Sequence, residues 1–414
     1  MTEGEAGRIV SPQATKAAAP VSAVFLFAGS FVSMFGSDMN GIAVQWAVYE
    51  WTGREDVIAL ILALPILGAV LVMPWFGVFI DRSDRRAVGI LLDVVRGAIV
   101  LATPLALVLG APRLFVVGAM TFAVHLLSSA YFPNAQALVQ EVSSPDRHVR
   151  YSSFFAGAIQ GGSLVAGTLV GAMYTVFGLS GVLVADAATY GVSAGCYAAM
   201  RRGRPPLERA PRHGSAIEAF WSDVKEGLLF LKGAPVVSRL GAAHGLVLAG
   251  VFGLQVVTAP VNRDIFGAGP REFGYCNGAW GLGALLGSQL AGLLFRRIRP
   301  GVAFAPAMLL VALAASAIPA SPSLAFGVAA FFVMGIGRGV AGVVILSRFL
   351  TDVPPYVMGR VQSAVQAFGL VLRILVMLGT GLIAENVSLP AAVLANAFLF
   401  LVAAAVAPPP RDRR

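Results

Sequence analysis

Charge is what this sequence has least of. Only 12% of its 414 residues are charged while 57% are apolar, about half the charged fraction of an ordinary soluble domain, which excludes a water-soluble globule. Cysteine is nearly absent. Cys196 and Cys276 fall inside apolar stretches without metal-ligand spacing, so neither a disulfide framework nor a metal cluster is expected and both read as packing residues. No Gly-x-x-x-x-Gly-Lys-Ser/Thr run occurs, which removes nucleotide-hydrolysing machinery of that type and leaves an ion gradient to drive any uphill step. No apolar stretch holds paired carboxylates or a nucleophile beside a base, so an enzyme is the weakest reading and no cofactor is expected. Residues 1–20 lack the charged start, short apolar core and cleavage site of a signal peptide, and the first apolar stretch is expected to stay in place behind a tail.

What the chain has in quantity is long apolar runs. Twelve can be drawn, over 21–49, 56–80, 87–109, 113–139, 149–174, 178–200, 236–260, 272–296, 301–319, 323–349, 357–384 and 388–407. Each can cross a hydrocarbon core of about 30 Å as a helix. The expected fold is therefore all-α: a polytopic membrane protein with twelve transmembrane helices in two six-helix bundles. The expected organisation is a cytoplasmic tail at 1–20, a first bundle at 21–200, a linker at 201–235, a second bundle at 236–407 and a cytoplasmic tail at 408–414. The linker runs from Arg201-Arg202-Gly203-Arg204-Pro205-Pro206 into Ile217 to Leu231, which mixes Trp221, Leu228 and Phe230 with Asp223, Lys225 and Glu226. That pattern predicts a helix lying at the membrane interface, against lipid.

A net charge of +9 and a pI near 10 would suit a nucleic-acid partner only if the basic residues shared a face. They do not. Of the 30 Lys and Arg, 23 fall in alternate loops, at the span ends beside them and in the two tails, and four (Arg54, Arg113, Arg263, Arg271) fall on the other side. That asymmetry predicts both termini in the cytoplasm and excludes nucleic acid as the partner.

Between the second and third spans lies Gly77-Val78-Phe79-Ile80-Asp81-Arg82-Ser83-Asp84-Arg85-Arg86. It resembles the loop signature of the major facilitator superfamily, with Ser83-Asp84 where that family usually has a glycine. Gly292 to Arg299 echoes it in the second half, keeping a glycine and basic residues but no aspartate. Asp93 and Arg96 in span 3, Asp186-Ala187-Ala188-Thr189-Tyr190 in span 6, and Pro133-Asn134-Ala135-Gln136-Ala137 leading to Glu141 look like the drug exporter branch that includes macrolide and siderophore efflux proteins. In span 5, Thr168 of Gly167-Thr168-Leu169-Val170-Gly171 stands where antiporters of this family carry proline.

The resemblance implies two bundles rocking about a midplane site, with spans 1, 4, 7 and 10 lining the cavity. It also implies a latch at the cytoplasmic seam made by Gly77, Asp81, Arg82, Arg85 and Arg86, supported by Asp93, Arg96 and Glu141. The plainer reading of those basic residues is that they only set orientation, which would need neither the glycine nor the aspartate. Asp93 and Arg96, three apart on one helix face, are expected to neutralise each other or to reach the loop.

Ionisable groups inside spans mark cavities, pathways or internal pairs. Asp38, His125 and Arg338 lie near the middles of spans 1, 4 and 10, and His244 lies in the inner third of span 7. Asp38 is the expected proton-coupling carboxylate and a substrate contact, with His125 a second coupling group; a packing hydrogen bond is the plainer role for each. Arg373 in span 11 and Arg338 could bind an anionic group or find an internal partner such as Asp38 or backbone carbonyls. Gln45 and Trp46, Gln255, and Asn277 and Trp280 could add hydrogen-bonding and aromatic substrate contacts, or serve as interfacial anchors. The glycine runs Gly281–Gly287 and Gly335–Gly339 lie inside spans and read as helix-packing surfaces.

The functional expectation is proton-coupled antiport of a small amphipathic compound (a drug, an antibiotic or a siderophore-like molecule) out of the cell. The expected transporter is monomeric and resides in the inner, cytoplasmic membrane. The alternatives are uptake or flipping of a metabolite or lysolipid, or a membrane sensor that no longer transports.

Overall fold

The computed structural model describes residues 12–143, 147–201, 216–295, 298–320, 323–354 and 357–409, without the side chains of 12–20, 70, 71, 73–75, 77–79, 81, 82, 148, 149, 216–220, 223 and 300. Among the described residues all regular structure is helical. The long helices are α1 (Pro12–Thr52), α2 (Glu55–Arg82), α3 (Arg85–Val108), α4 (Arg113–Val142), α5 (His148–Ala199), α6 (Ala216–Gly233), α7 (Pro235–Pro260), α8 (Pro270–Leu294), α9 (Phe304–Ala317), α10 (Leu324–Asp352), α11 (Met358–Asn386) and α12 (Leu389–Val406). Nine are long and apolar enough, among the described residues, to cross a bilayer.

One of the nine spans twice the necessary length. Arg150–Ala199 runs for 50 residues, where one crossing needs about 20, and it holds spans 5 and 6 of the sequence reading. The reversal occurs at Gly178, whose φ of 62° and ψ of −171° suit a residue without a Cβ. The two arms then pack against α1: Gly162 of the first arm sits on the Phe31 carbonyl, and Cys196 of the second lies against Gly29.

Helix α1 packs on α5, and α3 packs between α4 and α5. In the second half α8 packs on α10, α7 on α11 and α12, and α9 on α10 and α12. The glycine runs make the α8–α10 contact: Gly283 and Gly287 lie on the Phe332 and Ile336 carbonyls, while Gly335 and Gly339 lie on those of Trp280 and Ala284. Small residues let the two backbones touch, as membrane helices require when no water drives them together.

The first turns of the spanning part of α1 and the end of α12 lie on one face. Arg201 N–H, just past α5, donates to Ser22 Oγ near the start of α1 at 3.3 Å, and Arg239, near the start of α7, donates to the Val406 and Ala407 carbonyls after α12 at 2.9 and 3.2 Å. This terminal face also carries α6. Glu226 and Arg360 join α6 to the first turn of α11 at 2.8 Å, while Trp221, Leu228 and Leu229 remain exposed. The opposite face carries the α1–α2, α3–α4, α7–α8 and α11–α12 connections.

Candidate functional site

At mid-height on α1, Asp38 is partly exposed and lies within reach of Ser163 on the first arm of α5. Beside it a second carboxylate, Asp186 on the second arm of α5, is fully buried. Asn40 Nδ2 donates to Asp186 Oδ2 at 2.8 Å, and the Asp38 and Asp186 charges are close enough to interact. Ser37 Oγ and the Tyr190 hydroxyl complete the contact at 2.9 Å. Asp186 and Tyr190 stand four apart, which puts both on the α1-facing side of the second arm of α5.

Below this pair, Arg96 and Asp93 form an ion pair within α3 with side chains 2% and 0% exposed. The guanidinium is stacked between the rings of Tyr131 and Tyr190, at 4.4 and 4.5 Å, and donates to Ser128 Oγ at 3.2 Å. The pair neutralises itself and the tyrosine faces supply further cation–π attraction. His125 is exposed, with Nδ1 3.0 Å from the Thr121 carbonyl of its own helix.

The second half presents the opposite charge. His244 on α7 is flanked by Arg338 of α10 and Arg373 of α11, both within electrostatic reach of it. Arg338 extends along its own helix into the space beside Gly342, and Arg373 lies over the ring of Phe252 at 5.0 Å. Among the described residues neither arginine forms an ion pair, so Asp38, one of the internal partners the sequence offers, does not pair with either of them. Gln255, on α7, is exposed.

The two halves meet toward the opposite face. The Tyr49 hydroxyl of α1 donates to Asp264 beyond α7, and Arg263 reaches the Tyr49 carbonyl at 3.5 Å. Trp46 stacks on Phe273 with centroids 5.3 Å apart, in a core that joins α1, α2, α4 and α5 to Val256, Ala259 and Met377. Gly167 and Gly171 of α5 touch the backbones of Asn277 and Pro270 at the start of α8, and Gly381 of α11 touches Asp56 of α2. Gln45 and Trp46 are therefore buried in this seam. Asn277 is spent on a bond to the Phe273 carbonyl at 2.9 Å, and the Trp280 carbonyl packs on Gly335. The structure places Gln45 and Trp46 in helix contacts, while Asn277 and Trp280 are half-buried on α8.

On the terminal face the signature loop is built locally. Asp84 caps α3 by accepting from Arg86 N–H at 2.9 Å and Ala87 N–H at 3.4 Å, so an extended Ser83 and an N-cap aspartate make the turn without the family's glycine. Arg85 pairs with Glu141 at the end of α4 at 2.5 Å. Arg86 donates through Nε to the Tyr197 carbonyl at 2.7 Å and through Nη2 to that of Ala198, which satisfies the carbonyl end of α5. These bonds tie α3, α4 and α5 together inside the first half, where the sequence reading had expected them across the seam. Gly77, Asp81 and Arg82 belong to the last turns of α2, and their side chains lie outside the described residues.

The family model of the Major Facilitator Superfamily matches residues 26–377, most of the chain. The chain belongs to the major facilitator superfamily. It is a transporter, and its relatives agree. The MFS-type transporter YfiS of Bacillus subtilis is 25% identical over 396 residues, covering 91% of this chain and 90% of that one. Macrolide efflux protein A of Streptococcus pyogenes is 21% identical over 274 residues, 65% of each chain. Among solved structures, a bacterial homologue of the human lysosomal transporter Spinster, inward-facing and occupied, superposes with a TM-score of 0.69 at 14% identity over 93% of this chain and 95% of that one. The nucleoside transporter NupG gives 0.73 at 11% identity over 92% and 98%. At such identities these structures establish the fold of the transporter and nothing finer.

Proposed function

We propose that this transporter exports a small amphipathic compound in exchange for protons, with Asp38 as the carboxylate that carries the proton. The observation behind this reading is that Asp38 stands at mid-height, partly exposed, with no basic partner among the described residues. Asp93, by contrast, has Arg96. An intramembrane carboxylate without a fixed counter-ion is where a proton can be taken up and released as the surroundings alternate between dry and wet. Asp186 beside it adds like-charge repulsion, so two ionised carboxylates at this point are disfavoured together. A proton and a cationic group of the substrate would then compete for the same place, which is the condition for exchange.

The export direction is drawn from the similarity to macrolide efflux protein A. The Lys/Arg asymmetry supports placement in the inner membrane with the terminal face in the cytoplasm. In that frame the present conformation is closed to the outside. The signature loop would engage the second half when the cycle reverses.

The test is accumulation of macrolides, other amphipathic antibiotics, dyes and siderophores in an efflux-deficient bacterial host. Cells expressing the wild type should accumulate less of the true substrate, and both an uncoupler and Asp38→Asn should return accumulation to that of the empty host. Transport that keeps its response to a pH gradient in Asp38→Asn would remove Asp38 from the coupling role.

A further inference from the structure

We infer that the second half of the transporter carries a subsite for an anionic group of its substrate, formed by Arg338, Arg373 and His244. The inference rests on the reading above only in taking the bound molecule to be the transported one.

Three helices bring these groups together. Arg338 of α10 and Arg373 of α11 both lie within electrostatic reach of His244 on α7. Two guanidinium groups do not gather beside an imidazole in a membrane interior for stability, since each charge is costly to remove from water. Elsewhere in this chain the buried cation is matched: Arg96 has Asp93 and two tyrosine rings. Here, among the described residues, no carboxylate pairs with either arginine. Arg373 Nε is buried without any hydrogen-bond partner.

A guanidinium presents N–H groups in a fork that fits a carboxylate, sulfonate or phosphate. An anion beside Arg373 would satisfy the orphan Nε and supply the counter-charge that neither arginine has among the described residues. Aromatic surface is at hand for an apolar body. Phe252 lies beneath Arg373 at 5.0 Å, and Phe349 meets His244 edge-on at 6.2 Å. Phe252 also packs into the core shared by both halves, so the subsite borders the seam that must open and close. The ligand class is thus an amphipathic acid. Asp38, on the first half, would accept the amine of a zwitterion.

Binding of four fluorescent probes that share one apolar body separates these terms: dansylglycine (acid), dansylcadaverine (amine), ε-dansyl-lysine (both) and dansylamide (neither). Purified transporter in nanodiscs, with no proton gradient, should bind the two acids more tightly than dansylamide. Arg338→Gln and Arg373→Gln should each weaken the acids by about tenfold, the size expected for one charge-assisted contact, and leave dansylamide unchanged. Arg338→Lys and Arg373→Lys should recover part of the loss, which a folding defect would not allow. The acid preference is read at equilibrium without a proton gradient, so the subsite can stand even where the proton-coupling reading falls.

Competition assigns the source of the anion, and either result supports the subsite. Displacement by inorganic phosphate points to a free acid group, and displacement by lysophosphatidic acid alone points to a lipid headgroup. Equal binding of dansylglycine and dansylamide overturns the inference. So does an acid preference that survives both glutamine substitutions, or failure of every acidic probe and lysophosphatidic acid to bind.

Discussion

The Asp93–Arg96 pair shows how much a few side chains decide. Both are essentially removed from solvent, and removing one partner leaves a buried charge without compensation. Loss of one member of such a pair costs about 3–5 kcal/mol. Arg96→Ala also strips the cation from between Tyr131 and Tyr190, so it is expected to lower thermal stability in detergent more than Asp93→Asn. The double variant should recover part of the loss, and thermal unfolding followed by fluorescence-detected gel filtration checks the order. The pairing of these two residues was legible, because three positions apart on a helix is contact distance. The Asp186–Asn40 bond was not: its partners are 146 positions apart, and no local pattern says that span 6 returns to span 1 at that height. The same limit hid the state of Arg338 and Arg373. A sequence displays a buried arginine, but whether a carboxylate stands opposite depends on how helices are rotated, which periodicity alone does not set.

At the scale of the element, helix–helix approach follows from where side chains are missing. Gly167 and Gly171 were readable as a packing stripe from their spacing of four, yet the sequence did not reveal that the stripe belongs to α8 in the other half. A Cβ on Gly171 would strike the Pro270 carbonyl, so Gly171→Leu is expected to hold α5 and α8 apart. The variant should fold and bind substrate, but transport should fall to background because the opposite face cannot close. Substrate binding to purified protein, set beside flux in vesicles, separates this from unfolding. The threonine in the proline position of this motif is accommodated locally, with Thr168 Oγ1 donating to the Leu164 carbonyl at 3.0 Å. Ser83-Asp84 is a parallel case: the departure from the family pattern is met by an N-cap, and the loop keeps its bonds to α4 and α5. In both places composition identified the element, and hydrogen-bonding chemistry explains why an altered residue serves.

For the whole molecule, the crossing helices could be drawn from hydropathy because each must satisfy its own backbone in lipid. Which face is closed could not, since both conformations of an alternating-access cycle use the same sequence. The closed seam is rich in acid. Glu55 at the start of α2 lies beside Glu385 at the end of α11 and near Asp264 beyond α7, and Tyr49 bridges this group by donating to Asp264. The facing cations are few: Arg54 is 3.8 Å from Glu385 and 2.6 Å from Asp56, and Arg263 is turned to the Tyr49 carbonyl. Closing this face therefore buries Glu55 beside Glu385 and Asp264, which pushes its carboxyl above the ordinary value, and uptake of a proton by Glu55 relieves the repulsion. The sign follows directly. Acidification on this side should favour the closed face, and alkaline conditions should open it. Spin labels at Ala111→Cys and Val387→Cys, in a background with Cys196→Ala and Cys276→Ala, report the separation of the two halves there. Their distance distribution should shift toward the short component as pH falls. Glu55→Gln should hold that component at all pH values, because the neutral amide mimics the protonated acid. A distribution independent of pH in the wild type would leave Tyr49 and the glycine contacts as the whole of the closure.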